Sequence, residues 1–78
     1  METVIRFYTK KNCPLCEEAK ELLELLNTDH IPVEEIDIYQ SDTLLEKYQL
    51  IIPVIAYKEN EVYGNEINTE KISGLLAQ

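Results

Sequence analysis

The chain has 78 residues, 45% of them hydrophobic, with 7 basic against 15 acidic side chains and a formal net charge of −8. That length supports one compact domain over residues 1–78 and no second one. The charge argues against a nucleic-acid partner, since phosphate backbones are bound through clustered Lys and Arg, and is better matched to an electropositive protein. No apolar run approaches the roughly 20 residues that cross a bilayer, and METVIRFYTK lacks the start of a signal peptide, so a cytoplasmic chain away from membranes is expected.

From the amino end, Thr3–Tyr8 (TVIRFY) is rich in β-branched and aromatic residues with little polar interruption, as in a strand buried on both faces. From Pro14 to about Asn27, the residues Leu15, Ala19, Leu22, Leu23, Leu25 and Leu26 recur at helical spacing among glutamates and Lys20, which predicts an amphipathic helix. The turn residues of NTDHIP end it. Val33–Ile38 predicts a second strand, in which Val33 opens the apolar set and Ile36 and Ile38 alternate about Asp37. Such a strand–helix–strand unit favours a parallel pair.

SDTLLEKYQL predicts a short helix capped by Ser41, with Leu44, Leu45 and Tyr48 facing inward. VIAYKENEVYG reads as a hairpin turning at Glu59-Asn60. A last helix begins at Asn68 or Thr69 and turns Ile72, Leu75 and Leu76 to the interior. The order βαβαββα predicts an α/β domain in which a mixed four-stranded sheet is flanked by helices.

Both cysteines of the chain, Cys13 and Cys16, fall in KKNCPLCEEAK, where the first strand has ended and the first helix begins. A stapling disulfide, half of a metal site and a redox pair compete to explain them. Small disulfide scaffolds carry more cysteines and belong to oxidising compartments, and so short a loop removes little unfolded-state entropy. A metal normally takes four ligands, and His30, the one histidine, sits in a turn, which leaves only a cluster shared between two chains.

For the redox pair the local chemistry is favourable. Pro14 suits the first helical position, so Cys13 becomes the N-cap, where its sulfur can accept from the backbone N–H groups of Leu15 and Cys16. Those donors and the helix dipole favour the thiolate. Cys16, three residues on, lies on the same face within disulfide reach and deeper in the turn, which assigns attack to Cys13 and resolution to Cys16. Lys10 and Lys11 favour the thiolate, while Glu17 and Glu18 oppose it.

The strand followed by YTKKNCPLC and an acidic amphipathic helix resembles the thioredoxin superfamily, most closely its small bacterial glutaredoxin-like proteins. LIIPVIAY resembles the turn of that superfamily in which a cis-proline opens the third strand, here Ile52-Pro53. The resemblance implies a thioredoxin-like fold. It implies further that Pro53 faces the cysteine pair, that the Ile52 backbone pairs with substrate, and that Tyr8 and Lys10 are the aromatic and basic positions before the first cysteine. Pro14, Leu15 and Gly64 complete the implied substrate-binding set. The Gly-Gly pair and aspartate with which glutaredoxins bind glutathione are replaced here by Gly64-Asn65 in YGNEIN.

The expected protein is therefore a monomeric thiol–disulfide oxidoreductase without a bound cofactor, acting on a disulfide in a protein or small molecule. Its electrons would come from glutathione or a protein reductase, with the reductase favoured by the altered glycine pair. A thioredoxin-fold module without catalysis, using the groove around Cys13 and Pro53 to bind a partner or a metal cluster shared between two chains, is the alternative.

Overall fold

Residues 4–77 are described by the computed structural model, so Thr3, expected at the head of the first strand, lies outside the described residues. The elements run β1 (Ile5–Thr9), α1 (Pro14–Leu26), β2 (Val33–Asp37), α2 (Asp42–Tyr48), β3 (Val54–Tyr57), β4 (Asn60–Tyr63) and α3 (Thr69–Leu76). Single 3₁₀ turns occupy Ile38–Gln40 and Gly64–Glu66. The strands form one mixed four-stranded sheet in the order β2-β1-β3-β4. In it β1 is parallel to β2 and antiparallel to β3, which is antiparallel to β4.

Strand alternation divides the interior in two. Ile5 and Phe7 of β1 meet Ile55 and Val62 on one face, covered by Ala19 and Leu23 of α1 and by Ile72 and Leu75 of α3. Tyr8, Val54 and Ala56 point to the other face and pack against Ile38 and Tyr48 of α2. There the Tyr8 and Tyr48 rings stack at 4.4 Å, and the Tyr48 hydroxyl donates to Glu61 Oε2 at 2.9 Å.

Each helix starts on a side-chain acceptor that relieves one unpaired N–H. Cys13 Sγ accepts from the Cys16 N–H at 3.2 Å, Ser41 Oγ from Leu44 at 3.4 Å, and Asn68 Oδ1 from Lys71 at 2.8 Å. Pro14 opens α1, and Glu17, Asp42 and Glu70 stand in first turns, where the dipole favours negative charge. After α1, the Asn27 side chain both accepts from the Ile31 N–H and donates to the Ile31 carbonyl, which fixes the chain's entry into β2.

Four details depart from the sequence pattern. Ile38 leaves the second strand for a 3₁₀ turn because Asp37 Oδ1 takes the Tyr39 N–H at 2.9 Å, and the turn rolls Ile38 into the core. Val33 is exposed because β2 lies at the sheet edge, with Glu34 and Glu35 exposed beside it. The hairpin turns at Lys58-Glu59, not Glu59-Asn60: Tyr57 pairs with Asn60, and Lys58 adopts a φ of 57°. A turn one residue later would place Gly64 opposite Ile55, whereas Gly64 lies beyond the strand, with a φ of 58° and its N–H on the Pro53 carbonyl. Finally, Leu15 and Leu25 of α1 stay in solvent, at 58% and 76% exposure.

Two predictions concern this framework. Serine at position 13 can still accept the Cys16 N–H and alanine cannot, so under reducing conditions Cys13→Ala is expected to be about 1 kcal/mol less stable than Cys13→Ser in urea unfolding. At Tyr48, burial first, and then the hydrogen bond and charge of Glu61, raise the phenol pKa above its ordinary value. The unfolded chain then loses this proton before the folded one, so the contribution is complete below about pH 10 and declines as pH rises above it. Tyr48→Phe should lose about 1 kcal/mol near neutral pH and show a shallower fall in unfolding free energy from about pH 10 to 12 than wild type.

Candidate active site

The site is built where β1 runs out. Thr9 pairs with Asp37 at the C-terminal ends of the parallel strands, the chain turns through Lys10 and Lys11, and Asn12 takes the left-handed conformation, φ 54°. Asparagine tolerates that region better than most side chains. The reversal delivers Cys13 in extended conformation, φ −119° and ψ 97°, at the N-terminus of α1.

Cys13 and Cys16 form a disulfide with their Cα atoms 5.2 Å apart. Cys16 is 2% exposed and Cys13 8%, and both rest on the core beside Phe7. Of the two N–H groups expected to reach Cys13 Sγ, that of Cys16 does so. The pair thus combines an apolar floor with a polar, electropositive helix end above it.

Two depressions adjoin it. The first, about 450 Å³, is lined by both cysteines and Phe7 and by charged residues of both signs: Lys10, Lys11 and Lys20 with Glu17, Glu35 and Asp37. Lys20 Nζ pairs with Glu35 at 2.9 Å, and that hydrogen bond and charge raise the Lys20 pKa. Lys10 and Lys11 supply the remaining positive charge. The second depression, about 520 Å³, is mainly apolar and lies between α1 and the start of β3, with Leu15, Leu22, Leu25, Pro53 and Ile67 among its walls.

The Ile52–Pro53 peptide is cis, and Pro53 is buried. The Pro53 carbonyl accepts from Gly64 N–H at 2.9 Å, tying the end of β4 to the entry of β3. A Cβ at Gly64 would lie 3.6 Å from the Ile51 carbonyl, an ordinary contact, so the positive φ is what requires glycine. The Ile52 N–H donates to Tyr48 O at 3.1 Å, which engages the donor half of the backbone pairing that the resemblance implies.

The residues singled out from sequence therefore divide. Cys13, Cys16 and Lys10 meet at the charged depression, and Leu15, Pro53 and Gly64 at the apolar one. Pro14 is exposed at the first position of α1, and Ile52 is half-buried beneath both core clusters. Tyr8 is not brought to the cysteines: strand alternation sends it to the opposite sheet face, and the aromatic beside the pair is Phe7. Glu17 and Glu18, grouped in the sequence, face different depressions.

Sequence reasoning missed Asn12, Lys20, Glu35 and Asp37. Asp37 carried a usable signal, because ligands of parallel sheets gather at the C-terminal ends of strands, and Lys20 follows Cys16 by four residues. Among the described residues no group of three or more His, Cys, Asp or Glu side chains is placed to hold a metal ion, and no helix is long and apolar enough to cross a membrane.

Comparison with known proteins agrees with this geometry. A glutaredoxin-like protein of Dictyostelium discoideum is 29% identical over 75 residues, covering 87% of this chain and 69% of its own length. The glutaredoxin-like domain family (DUF836) matches residues 4–77, nearly the whole chain. With a mixed four-stranded sheet, a cis-proline opening β3 and a C-P-L-C disulfide at the head of α1, the chain belongs to the glutaredoxin-like domain family of the thioredoxin superfamily.

Proposed function

We propose that the protein is a thiol–disulfide oxidoreductase whose Cys13 exchanges with disulfides presented at the mouth of the charged depression. The observation that carries this reading is the placement of the Cys13 sulfur: it caps α1, bonds to Cys16 and lines an open depression. In the reduced protein, the Cys16 N–H and the helix dipole favour the Cys13 thiolate over the thiol.

That thiolate attacks one sulfur of the substrate disulfide. A Cys13–substrate disulfide forms as the substrate S–S bond breaks, and the departing sulfur leaves as a thiolate that takes a proton from water. Cys16, as its thiolate, then attacks Cys13 Sγ. The Cys13–Cys16 bond forms, the second substrate sulfur is released, and two electrons have passed from the dithiol to the substrate. Cys16 is nearly buried, so substrate reaches Cys13 first.

A poor fit of glutathione to the chain supports a protein as the electron donor. Lys10 is present for a carboxylate, but Asn65 stands where a second glycine would allow close backbone approach, Glu66 adds negative charge, and the Ile52 N–H is engaged by Tyr48. Glutathione is itself a net anion. A protein reductase or a dithiol protein is the better donor for this site.

Two measurements test the reading. Cys13→Ser should abolish reduction of a small disulfide such as 2-hydroxyethyl disulfide, whereas Cys16→Ser should accumulate a mixed disulfide located on Cys13 by mass spectrometry; an adduct on Cys16 would reverse the roles. For the donor, reduction of the Cys13–Cys16 disulfide should be faster with NADPH and thioredoxin reductase than with NADPH, glutathione and glutathione reductase. Loss of one charged hydrogen bond to a small ligand corresponds to roughly ten- to 150-fold in affinity. Faster turnover with glutathione would assign it the donor's role.

A further inference from the structure

The charged depression holds groups that the exchange chemistry has not yet used. Its lining is balanced, with Lys10, Lys11 and Lys20 against Glu17, Glu35 and Asp37, but these side chains are not equivalent toward the two sulfurs. Lys10 and Lys11 precede Cys13 in the loop, and Glu17 stands four residues after Cys13, one turn along the same side of α1. Asp37 pairs with Thr9 at the strand ends, its Oδ1 accepting from the Tyr39 N–H. Lys20 stands four residues after Cys16, and its partner Glu35 is in register with Phe7, the core residue beside both cysteines.

The resolving step gives that placement a purpose. Cys16 has a proton to lose before it attacks, yet it is buried, and the core cluster around it is apolar apart from the Tyr57 phenol. Such burial disfavours a thiolate. The cation one turn along α1 from Cys16, lining the same depression, is Lys20. Glu35 meets its ammonium group at 2.9 Å, and Glu24, a further turn along α1, also acts on it.

We infer that Lys20 and Glu35 tune the ionisation of the resolving thiol, Lys20 promoting the Cys16 thiolate and Glu35 moderating it. The inference deepens the oxidoreductase reading and rests on it. In the resolving step the Cys16 thiol gives its proton to water, and the thiolate attacks Cys13 Sγ. The Cys13–Cys16 bond forms as the Cys13–substrate bond breaks, and the substrate sulfur leaves as a thiolate that takes a proton from water. Lys20 stays protonated throughout, so its part is electrostatic. Moderation matters because a thiolate loses nucleophilicity as its pKa falls. Both side chains are half-exposed, at 50% and 48%, so solvent screens the effect and neither substitution opens the core.

The test titrates Cys16 in the full-length Cys13→Ser chain, under reducing conditions, by the pH dependence of its alkylation with iodoacetamide, read by mass spectrometry. Added to that background, Lys20→Met should raise the midpoint by about half a pH unit, roughly a threefold loss of thiolate at a fixed pH below it. Glu35→Gln, whose amide oxygen can still accept from Lys20, should lower it by a similar amount. Lys20→Arg should keep the parent midpoint, as should Glu34→Gln, which alternates to the opposite face of β2. Lys20→Met and Glu35→Gln remove the same ion pair, so a purely structural role would move them together. Shifts of the same sign, no shift, or an equal shift in Glu34→Gln would overturn the inference. The exchange reading is tested apart, in chains that keep Cys13, with dithiodipyridine, a neutral disulfide that releases a chromophore at each step. The second release, from Cys16 attack, should reach half its maximal rate at higher pH in Lys20→Met and at lower pH in Glu35→Gln. A missing second release in the wild-type chain, with the titration shifts retained, removes the oxidoreductase reading and leaves the charge assignment standing. A second release whose pH profile ignores both substitutions removes the inference alone.

Discussion

The hydrogen bond from the Cys16 N–H to the Cys13 sulfur joins the start of a helix to the chemistry of a thiol. It occupies one of the donors that every helix leaves unpaired at its N-terminus, and it does so with a sulfur of the cysteine pair. Around it, the rest of the site is arranged by necessity. Pro14 has no N–H to compete, Asn12 supplies the left-handed residue that lets the chain leave β1 and enter α1, and Phe7 floors the pair from the strand just left.

The sheet divides the remaining tasks between its faces. One face holds the cysteines, α1 and α3, while the other encloses the stacked Tyr8–Tyr48 pair under α2. Tyr48 also ties the second face to the site, since its carbonyl accepts from the N–H groups of both Ile51 and Ile52 just before the cis-proline. The entry to β3 is thereby held from below by α2 and from the side by the Gly64–Pro53 hydrogen bond.

Much of this was legible beforehand because the signals are local. Two caps, Cys13 and Ser41, were readable from residue type next to an apolar period, the start of the last helix was narrowed to Asn68 or Thr69, and the strand patterns led to the correct element order. What was missed depends either on local backbone choices that residue type leaves open or on partners distant in sequence. The hairpin turns at Lys58-Glu59, with Lys58 in a left-handed conformation that its residue type does not announce, and Ile38 left its strand because Asp37 bonded forward along its own backbone. Tyr8 was placed by its motif position, yet which sheet face a residue takes is set by strand alternation relative to α1 and α2. Lys20 and Glu35 are fifteen positions apart and meet only because α1 lies over the β1–β2 edge.

The exposure of β2 also bears on what could lie beside the sheet. An edge strand offers unpaired N–H and C=O groups to any strand that can lie beside it. Here that strand follows Pro32, which has no N–H, and carries Glu34 and Glu35 on neighbouring positions in a chain already strongly acidic. A second molecule approaching edge to edge would bring its own pair of carboxylates into register with these. The edge that leaves Val33 in solvent thus sets like charge, with Glu34 foremost, in front of the unpaired backbone groups that a further strand would need.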